Sequence, residues 1–174
     1  MANSFKTFLK HTAKDFHNQS VNPPIVRAST IIFKSMNDIR KTQAKYKKDP
    51  RGGYFDYGRQ GTSTTHILQK ILSKLEESYF TFLTPTGFGS VFLAIFSIVR
   101  PGDEILTADP VYNPTRMLTQ DYLTEFGIKT TFYNPHDLSS LKKNITKKTK
   151  LIFVENPGSN TFEFHDLSKV LQIA

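Results

Sequence analysis

A run of six residues, Tyr57-Gly58-Arg59-Gln60-Gly61-Thr62, has the side chains needed to bind an anionic group. The guanidinium of Arg59 offers five N–H donors in a planar fork, and the phenol of Tyr57 adds another donor. The two glycines let the backbone come close to a ligand. The run suits a phosphate, but the same composition is common in exposed turns with a surface arginine, so the run alone leaves both interpretations open.

A second candidate for anion binding is Thr84-Pro85-Thr86-Gly87-Phe88-Gly89-Ser90, which joins a predicted strand to a predicted buried helix. The N–H groups at a helix N-terminus and the helix dipole favour an anion, and the glycines leave room for a phosphate. The segment lacks the Gly-Lys-Ser/Thr of a P-loop and the third glycine of a dinucleotide fingerprint. A plain strand-to-helix turn is the alternative interpretation.

Two loops follow predicted strands at the end of the sheet where α/β proteins place their sites. Tyr112 lies in the first, a Pro-bounded loop, and its ring could stack on a flat cofactor or pack half-buried against the protein. The second loop, Glu155-Asn156-Pro157-Gly158-Ser159-Asn160, is dense in turn residues. That density fits a site loop and equally fits any tight connection.

The elements that must position these residues alternate between strand and helix from about residue 79 onward. This order predicts an α/β domain with a mostly parallel sheet and flanking helices. Before it, the chain predicts an extended arm with a β-prone run at 28–33 and a helix at 35–48, followed after the arm by an amphipathic helix at 64–77. The predicted strands are 79–83, 104–107, 128–133 and 150–155. The later predicted helices are the apolar segment to Val99, 115–126, 137–143 and a last helix that Asp166 caps. Gly127 is the predicted C-terminal cap of the helix at 115–126.

Composition excludes several classes of protein. The chain has 174 residues, a net charge of +8 and no cysteine, so disulfide scaffolds and thiol nucleophiles are excluded. The longest apolar stretch, Val91 to Val99, is too short to span a bilayer, and the polar first twenty residues predict a cytoplasmic protein without membrane association. The five histidines show no metal spacing, and no Gly-x-Ser-x-Gly elbow is present. The lysine clusters lack any accompanying nucleic-acid-binding motif, which disfavours that function.

Taken in order, these segments resemble the Cys/Met-metabolism enzymes that depend on pyridoxal phosphate (PLP). The resemblance rests on Tyr57-Gly58-Arg59, Thr86-Gly87-Phe88-Gly89, Asp109-Pro110-Val111-Tyr112 and Val154-Glu155-Asn156-Pro157-Gly158-Ser159. Within the family, the stretch from Glu155 through His165-Asp166 is most similar to the Glu-Ser-Pro-Gly-Ser…Glu-Val-His-Asp of the cystathionine β-lyase branch. The γ-lyase and synthase branches more usually have Pro-Thr-Asn-Pro there.

The resemblance implies a role for each candidate residue. The backbone N–H groups of Gly87 and Phe88 would bind the cofactor phosphate, and Tyr112 would stack on the pyridine ring. Tyr57 and Arg59 would reach the phosphate held by a neighbouring subunit, so the family's site needs a homo-oligomer. The implied reaction is α,β-elimination of cystathionine to homocysteine, pyruvate and ammonia, in which PLP acts as the electron sink.

The resemblance also implies what these 174 residues do not contain. It places the Schiff-base lysine, the aspartate at the pyridinium nitrogen and the arginine for the substrate carboxylate beyond Ala174. We therefore expect an N-terminal arm (residues 1–59) and an incomplete PLP-binding large domain of the type I transferase fold (residues 60–174), with no catalytic residue. Such a truncated chain should be inactive alone. The alternatives are a non-catalytic module that complements a separate lysine-bearing chain, and a fragment of the γ-lyase or synthase branch.

Overall fold

The computed structural model describes residues 22–174, which form two units, residues 22–83 and 84–174. The first 21 residues of the expected arm lie outside the described range. The expected boundary between residues 59 and 60 stays a prediction.

The described part of the first unit contains two helices joined by a loop with a short 3₁₀ turn at Gly58–Gln60. Helix α1 is Met36–Lys48, and it begins where the Ser35 hydroxyl accepts the Asp38 N–H at 3.2 Å. Helix α2 is Ser63–Leu75, and Thr62 with Thr65 forms a reciprocal capping box at its start. Both predicted helices are confirmed within one or two residues at each end.

One predicted strand of the first unit is wrong, and the β-prone run of the arm forms almost no strand pairing. Residues 79–83 are not a strand: the amide of Gln69 donates to the Thr81 carbonyl at 3.0 Å, so a side chain from α2 occupies a backbone group that a neighbouring strand would need. The β-prone run at 28–33 forms only one isolated antiparallel bridge, between Thr30 and Tyr57. β-propensity without a paired neighbour does not make a strand.

The second unit is built on a parallel sheet in the order β2-β1-β3. Its strands are β1 (Glu104–Ala108), β2 (Lys129–Tyr133) and β3 (Thr149–Phe153). The flanking helices are α3 (Gly87–Ile98), α4 (Asn113–Met117), α5 (Leu123–Glu125), α6 (Leu138–Asn144) and α7 (Leu167–Ile173). The predicted α/β class, with a parallel sheet and flanking helices, is confirmed.

The sheet carries a core on each face because neighbouring residues of a strand point to opposite sides. Ile105 packs in one cluster with α3, Leu118 and α5, whereas Leu106 packs in the other with α6 and α7. The buried members of the first cluster are Ile95, Val99, Ile105, Leu118, Leu123 and Ile128. Those of the second are Leu106, Ala108, Tyr133, Leu141 and Val170.

The predicted helix at 115–126 is present but is interrupted. Residues Leu118–Tyr122 form a π-helical turn between α4 and α5, which the sequence did not indicate. The Thr130 hydroxyl donates to the Thr119 carbonyl at 2.7 Å, so a side chain of β2 satisfies a carbonyl of this turn. Gly127 follows α5 with φ +73°, which confirms its predicted capping role.

The expected burial of α3 is wrong in degree. Only Ile95 of α3 is buried, while Leu93, Phe96 and Ile98 are more than two fifths exposed. Apolar residues occur on every face of this helix, but only one face packs on the sheet, so the apolar residues of the other faces remain exposed. β3 is only partly buried because it is an edge strand of the three-stranded sheet. Within residues 22–174, no helix is long and apolar enough to cross a membrane.

Candidate functional site

The N-terminus of α3 offers two backbone donors toward open space. The Thr86 hydroxyl accepts the Gly89 N–H at 2.9 Å, and the Thr86 carbonyl accepts the Ser90 N–H at 3.2 Å. Among the described residues, no acceptor pairs with the N–H of Gly87 or Phe88. A Cβ on Gly87 would meet no atom within 4 Å. Two free N–H groups at the positive end of a twelve-residue helix fit a phosphate.

Tyr112 lies at the start of a helix that neighbours α3. It follows β1 as the N-cap residue of α4, and 47% of the residue is exposed. Phe88 and Pro114 line one groove of about 560 Å³, so the first turns of α3 and α4 lie side by side. The free N–H groups of α3 are therefore next to α4, whose N-cap residue Tyr112 is an exposed aromatic residue suited to stacking.

The loop after β3 is bonded to the loop after β1. Glu155 Oε2 accepts the Tyr112 N–H at 2.8 Å, and the Ser159 N–H donates to the Pro110 carbonyl at 2.7 Å. Gly158 packs so closely that a Cβ there would lie 3.0 Å from the Pro110 ring. The sequence predicts this segment as a candidate site loop but indicates no role for Glu155. The only sequence signal for such a role is the position of Glu155 directly after a strand.

Arg116 does not offer a free guanidinium to this region. Its Nη2 donates to the Asp109 carboxylate at 2.7 Å and to the Asp109 carbonyl at 2.6 Å. The guanidinium also lies 3.9 Å from the centre of the Phe132 ring. Arg116 therefore fixes the loop after β1 to the sheet, and its guanidinium is occupied by these contacts.

In the first unit, backbone contacts fix the turn that carries Tyr57 and Arg59. The Gly58 N–H donates to the Ser29 carbonyl at 2.7 Å, and the Ser29 hydroxyl donates to the Tyr57 oxygen at 3.1 Å. A Cβ on Gly58 would lie 1.8 Å from the Ala28 carbonyl oxygen, so only glycine fits.

The predicted anion-binding pair is accessible on this turn. Tyr57 and Arg59 are both exposed, and the Arg59 guanidinium lies 5.3 Å from the Tyr57 ring. No carboxylate in the part of the chain that the structure covers forms an ion pair with Arg59. The guanidinium is therefore available to an external anion.

Two histidines are buried, one in each unit, and neither belongs to a metal-ligand cluster within the described range. Burial lowers the pKa of His66, and the nearby Lys70 charge lowers it further while Asp49 raises it. Burial also lowers the pKa of His165, against the opposing effect of Glu163. Both rings are thus favoured in the neutral form.

Known proteins resemble most of this chain. Cystathionine beta-lyase of Haemophilus influenzae is 32% identical over 161 residues, 92% of this chain and 40% of that protein. An L-alanine/L-glutamate racemase of Wolbachia pipientis wMel is 30% identical over 161 residues, 89% of this chain and 39% of that protein. The crystal structure of metB from Corynebacterium glutamicum matches with a TM-score of 0.83 and 25% identity, over 99% of this chain and 42% of that one.

These comparisons cover only part of each relative: the chain spans about two fifths of the length of the curated relatives it matches. The family model described as "Cys/Met metabolism PLP-dependent enzyme" matches residues 6–174, nearly the whole sequence. Together with the parallel α/β fold, this match shows that the chain belongs to the PLP-dependent enzymes of Cys/Met metabolism.

Proposed function

We propose that this chain carries part of a PLP site used for α,β-elimination of cystathionine to homocysteine, pyruvate and ammonia. The observation that supports it best is the pair of free N–H groups at Gly87 and Phe88, on a helix whose first turn lies beside that of α4, the helix capped by the exposed Tyr112. The choice of cystathionine rests on the relatives named cystathionine beta-lyase and on Pro157-Gly158-Ser159.

In this proposal each residue has a binding or orienting role. Gly87 and Phe88 donate their N–H groups to the cofactor phosphate, and the dipole of α3 adds to the attraction. The ring of Tyr112 stacks on the pyridine ring and limits its rotation. Bound PLP supplies an electron sink for negative charge at the substrate α-carbon.

Tyr57 and Arg59 complete the site from a neighbouring subunit. Their exposure, and the absence of a carboxylate partner for Arg59 in the described residues, support a target outside their own turn. A phosphate in a second copy of the chain would accept the phenol and guanidinium donors. The functional form would then be a homo-oligomer.

A polypeptide of residues 1–174 alone should bind PLP weakly and should not sustain elimination. The family resemblance places the cofactor lysine, the pyridinium aspartate and the substrate-carboxylate arginine outside these residues. Without a positioned base, no protein group can remove the proton from the substrate α-carbon. A separate chain that supplies these three residues would restore the reaction.

The cofactor part of the proposal is tested by titrating the chain with PLP and following cofactor absorbance and fluorescence. Tyr112→Ala should weaken binding about tenfold because the stacking surface is lost. Phe126→Ala is the matched control, since Phe126 is an aromatic residue of the same unit that is similarly exposed at 44% and does not line the groove beside Phe88. Equal affinities for the two variants would rule out stacking on Tyr112.

The reaction part is tested with cystathionine, alanine and glutamate as substrates, since one relative is a racemase. Pyruvate release is measured for elimination and optical rotation for racemisation. We expect neither reaction to be sustained by the 174-residue polypeptide alone. Sustained pyruvate release would overturn the proposed inactivity, and racemisation alone would overturn the choice of cystathionine.

A further inference from the structure

We propose that Glu155 is a positioning residue that holds the Tyr112 backbone, and through it the ring, in place. The inference rests on the proposed function, because the ring matters only if Tyr112 stacks on the cofactor. Its basis is the 2.8 Å hydrogen bond from the Tyr112 N–H to Glu155 Oε2, which joins the loops after β1 and β3.

Tyr112 depends on an external acceptor because of its place in the chain. It is the N-cap residue of α4, and its N–H precedes the helix, so no helical carbonyl can accept it. Its carbonyl accepts the Arg116 N–H at 3.0 Å, and the preceding Val111 is buried. The bond to Glu155 therefore anchors the remaining backbone group of an otherwise exposed residue.

Glu155 can act as an anchor because its own loop is fixed. The Ser159 N–H donates to the Pro110 carbonyl, and the Gly158 N–H donates to the Glu163 carbonyl at 2.8 Å. Gly158 also packs against the Pro110 ring with no room for a side chain. The two loops thus form one bonded structure, and Glu155 is the member that contacts Tyr112.

The required chemistry at position 155 is a side-chain oxygen that accepts one N–H. A glutamine keeps such an oxygen at the same distance from the backbone, whereas alanine removes it. Glu155→Gln should therefore preserve the position of Tyr112, and Glu155→Ala should lose it. Glu163→Ala is the matched control, because Glu163 lies in the same loop but pairs with Thr161 and approaches His136.

The first measurement is amide hydrogen exchange at Tyr112 in the chain without cofactor, with far-UV circular dichroism to confirm that each variant is folded. Glu155→Ala should accelerate this exchange at least about tenfold, since a hydrogen bond to a charged acceptor is lost. Glu155→Gln and Glu163→Ala should stay close to the original rate. Unchanged exchange in folded Glu155→Ala, or equal acceleration in Glu155→Gln, would overturn the inference.

The second measurement is PLP affinity in a double-mutant cycle with Tyr112→Ala. If Glu155 acts through Tyr112, Glu155→Ala should weaken binding several-fold alone and have no further effect once Tyr112 is alanine. Full additivity would overturn the positioning role. Faster Tyr112 exchange with no loss of affinity in either single variant would instead overturn stacking itself, which separates a failure of the proposed function from a failure of this inference.

Discussion

Glu77 adopts a left-handed backbone conformation, with φ +49°, just after α2 ends. The Ser78 N–H donates to the Ser73 carbonyl at 2.9 Å, which is the long hydrogen bond of a Schellman helix end. Glycine is the usual residue at this position because a Cβ is strained there. We predict that Glu77→Gly raises the free energy of unfolding by about 1 kcal/mol, measured by urea denaturation.

The adjacent residue provides a matched control for this prediction. Glu76 has φ −88°, which any residue adopts, so Glu76→Gly gains nothing from relief of strain. It should lower stability by about 0.5–1 kcal/mol through backbone entropy. Two glycine variants with the same sign of effect would show that strain at Glu77 does not govern this helix end.

The buried histidines set the expected pH dependence of stability. The pKa of His66 and that of His165 both lie below the ordinary 6.5, mainly because burial disfavours the charged ring. The unfolded chain therefore takes up protons first as pH falls through about 6.5. Stability should be fully present above that pH and should decrease below it, down toward the lowered pKa values of the folded state.

Urea denaturation between pH 7.5 and 5 tests this expectation. Each His→Gln substitution should remove part of the decrease in unfolding free energy toward pH 5, and the double variant should remove more. NMR titration of the two rings gives their pKa values independently. An unchanged slope in the double variant would assign the pH dependence to other groups.

At the scale of elements, the π turn at Leu118–Tyr122 depends on one hydroxyl. Thr119 is fully buried, and its carbonyl accepts the Thr130 hydroxyl at 2.7 Å. Thr130→Val keeps the shape of the side chain but leaves this carbonyl without that donor. We predict a loss of about 1–3 kcal/mol in unfolding free energy, measured by urea denaturation.

Thr131 serves as the control for this substitution. It is the next residue of β2, points to the opposite face of the sheet, and its hydroxyl has no hydrogen-bond partner in the described residues. Thr131→Val should change stability by less than about 0.5 kcal/mol. A Thr130→Val variant as stable as Thr131→Val would mean that the hydroxyl does not support the π turn.

Local chemistry explains which elements were predictable from sequence. Caps at Ser35, Asp137 and Asp166 and the glycine at 127 mark helix ends because each satisfies its own nearby backbone groups. The predicted strand at 79–83 does not form, because strand pairing depends on residues distant in sequence. Here the Gln69 side chain bonds the Thr81 carbonyl instead.

The same distinction between local and distant determinants applies to the candidate site. The places of Gly87 and Phe88 at a helix start and of Tyr112 in a post-strand loop were predictable because both are local features, and their cofactor-binding roles stay predictions. The bond from Tyr112 to Glu155 spans 43 positions, and no local pattern encodes it. The π turn was unpredictable for the same reason, since its partner Thr130 lies on another element.

At the scale of the whole molecule, large apolar side chains coexist with a high positive charge. The net charge is +8. Six large apolar or aromatic residues of the described range are at least 73% exposed: Ile25, Ile32, Tyr79, Phe82, Phe164 and Leu171. Apolar exposure favours association, whereas like charge opposes it at low ionic strength.

The balance between these two effects predicts self-association that increases with salt. Raising the salt from about 0.01 M to 1 M shortens the screening length from roughly 30 to 3 Å, so repulsion weakens while apolar attraction remains. Light scattering coupled to size exclusion should therefore show a larger mean mass at high salt. Ile32→Ser with Leu171→Ser should reduce the increase, whereas Gln120→Ser, which changes an exposed polar residue, should not. A monomer at every salt concentration, with a sharp cooperative melt, would contradict the prediction, because it would show that the exposed apolar residues do not drive association.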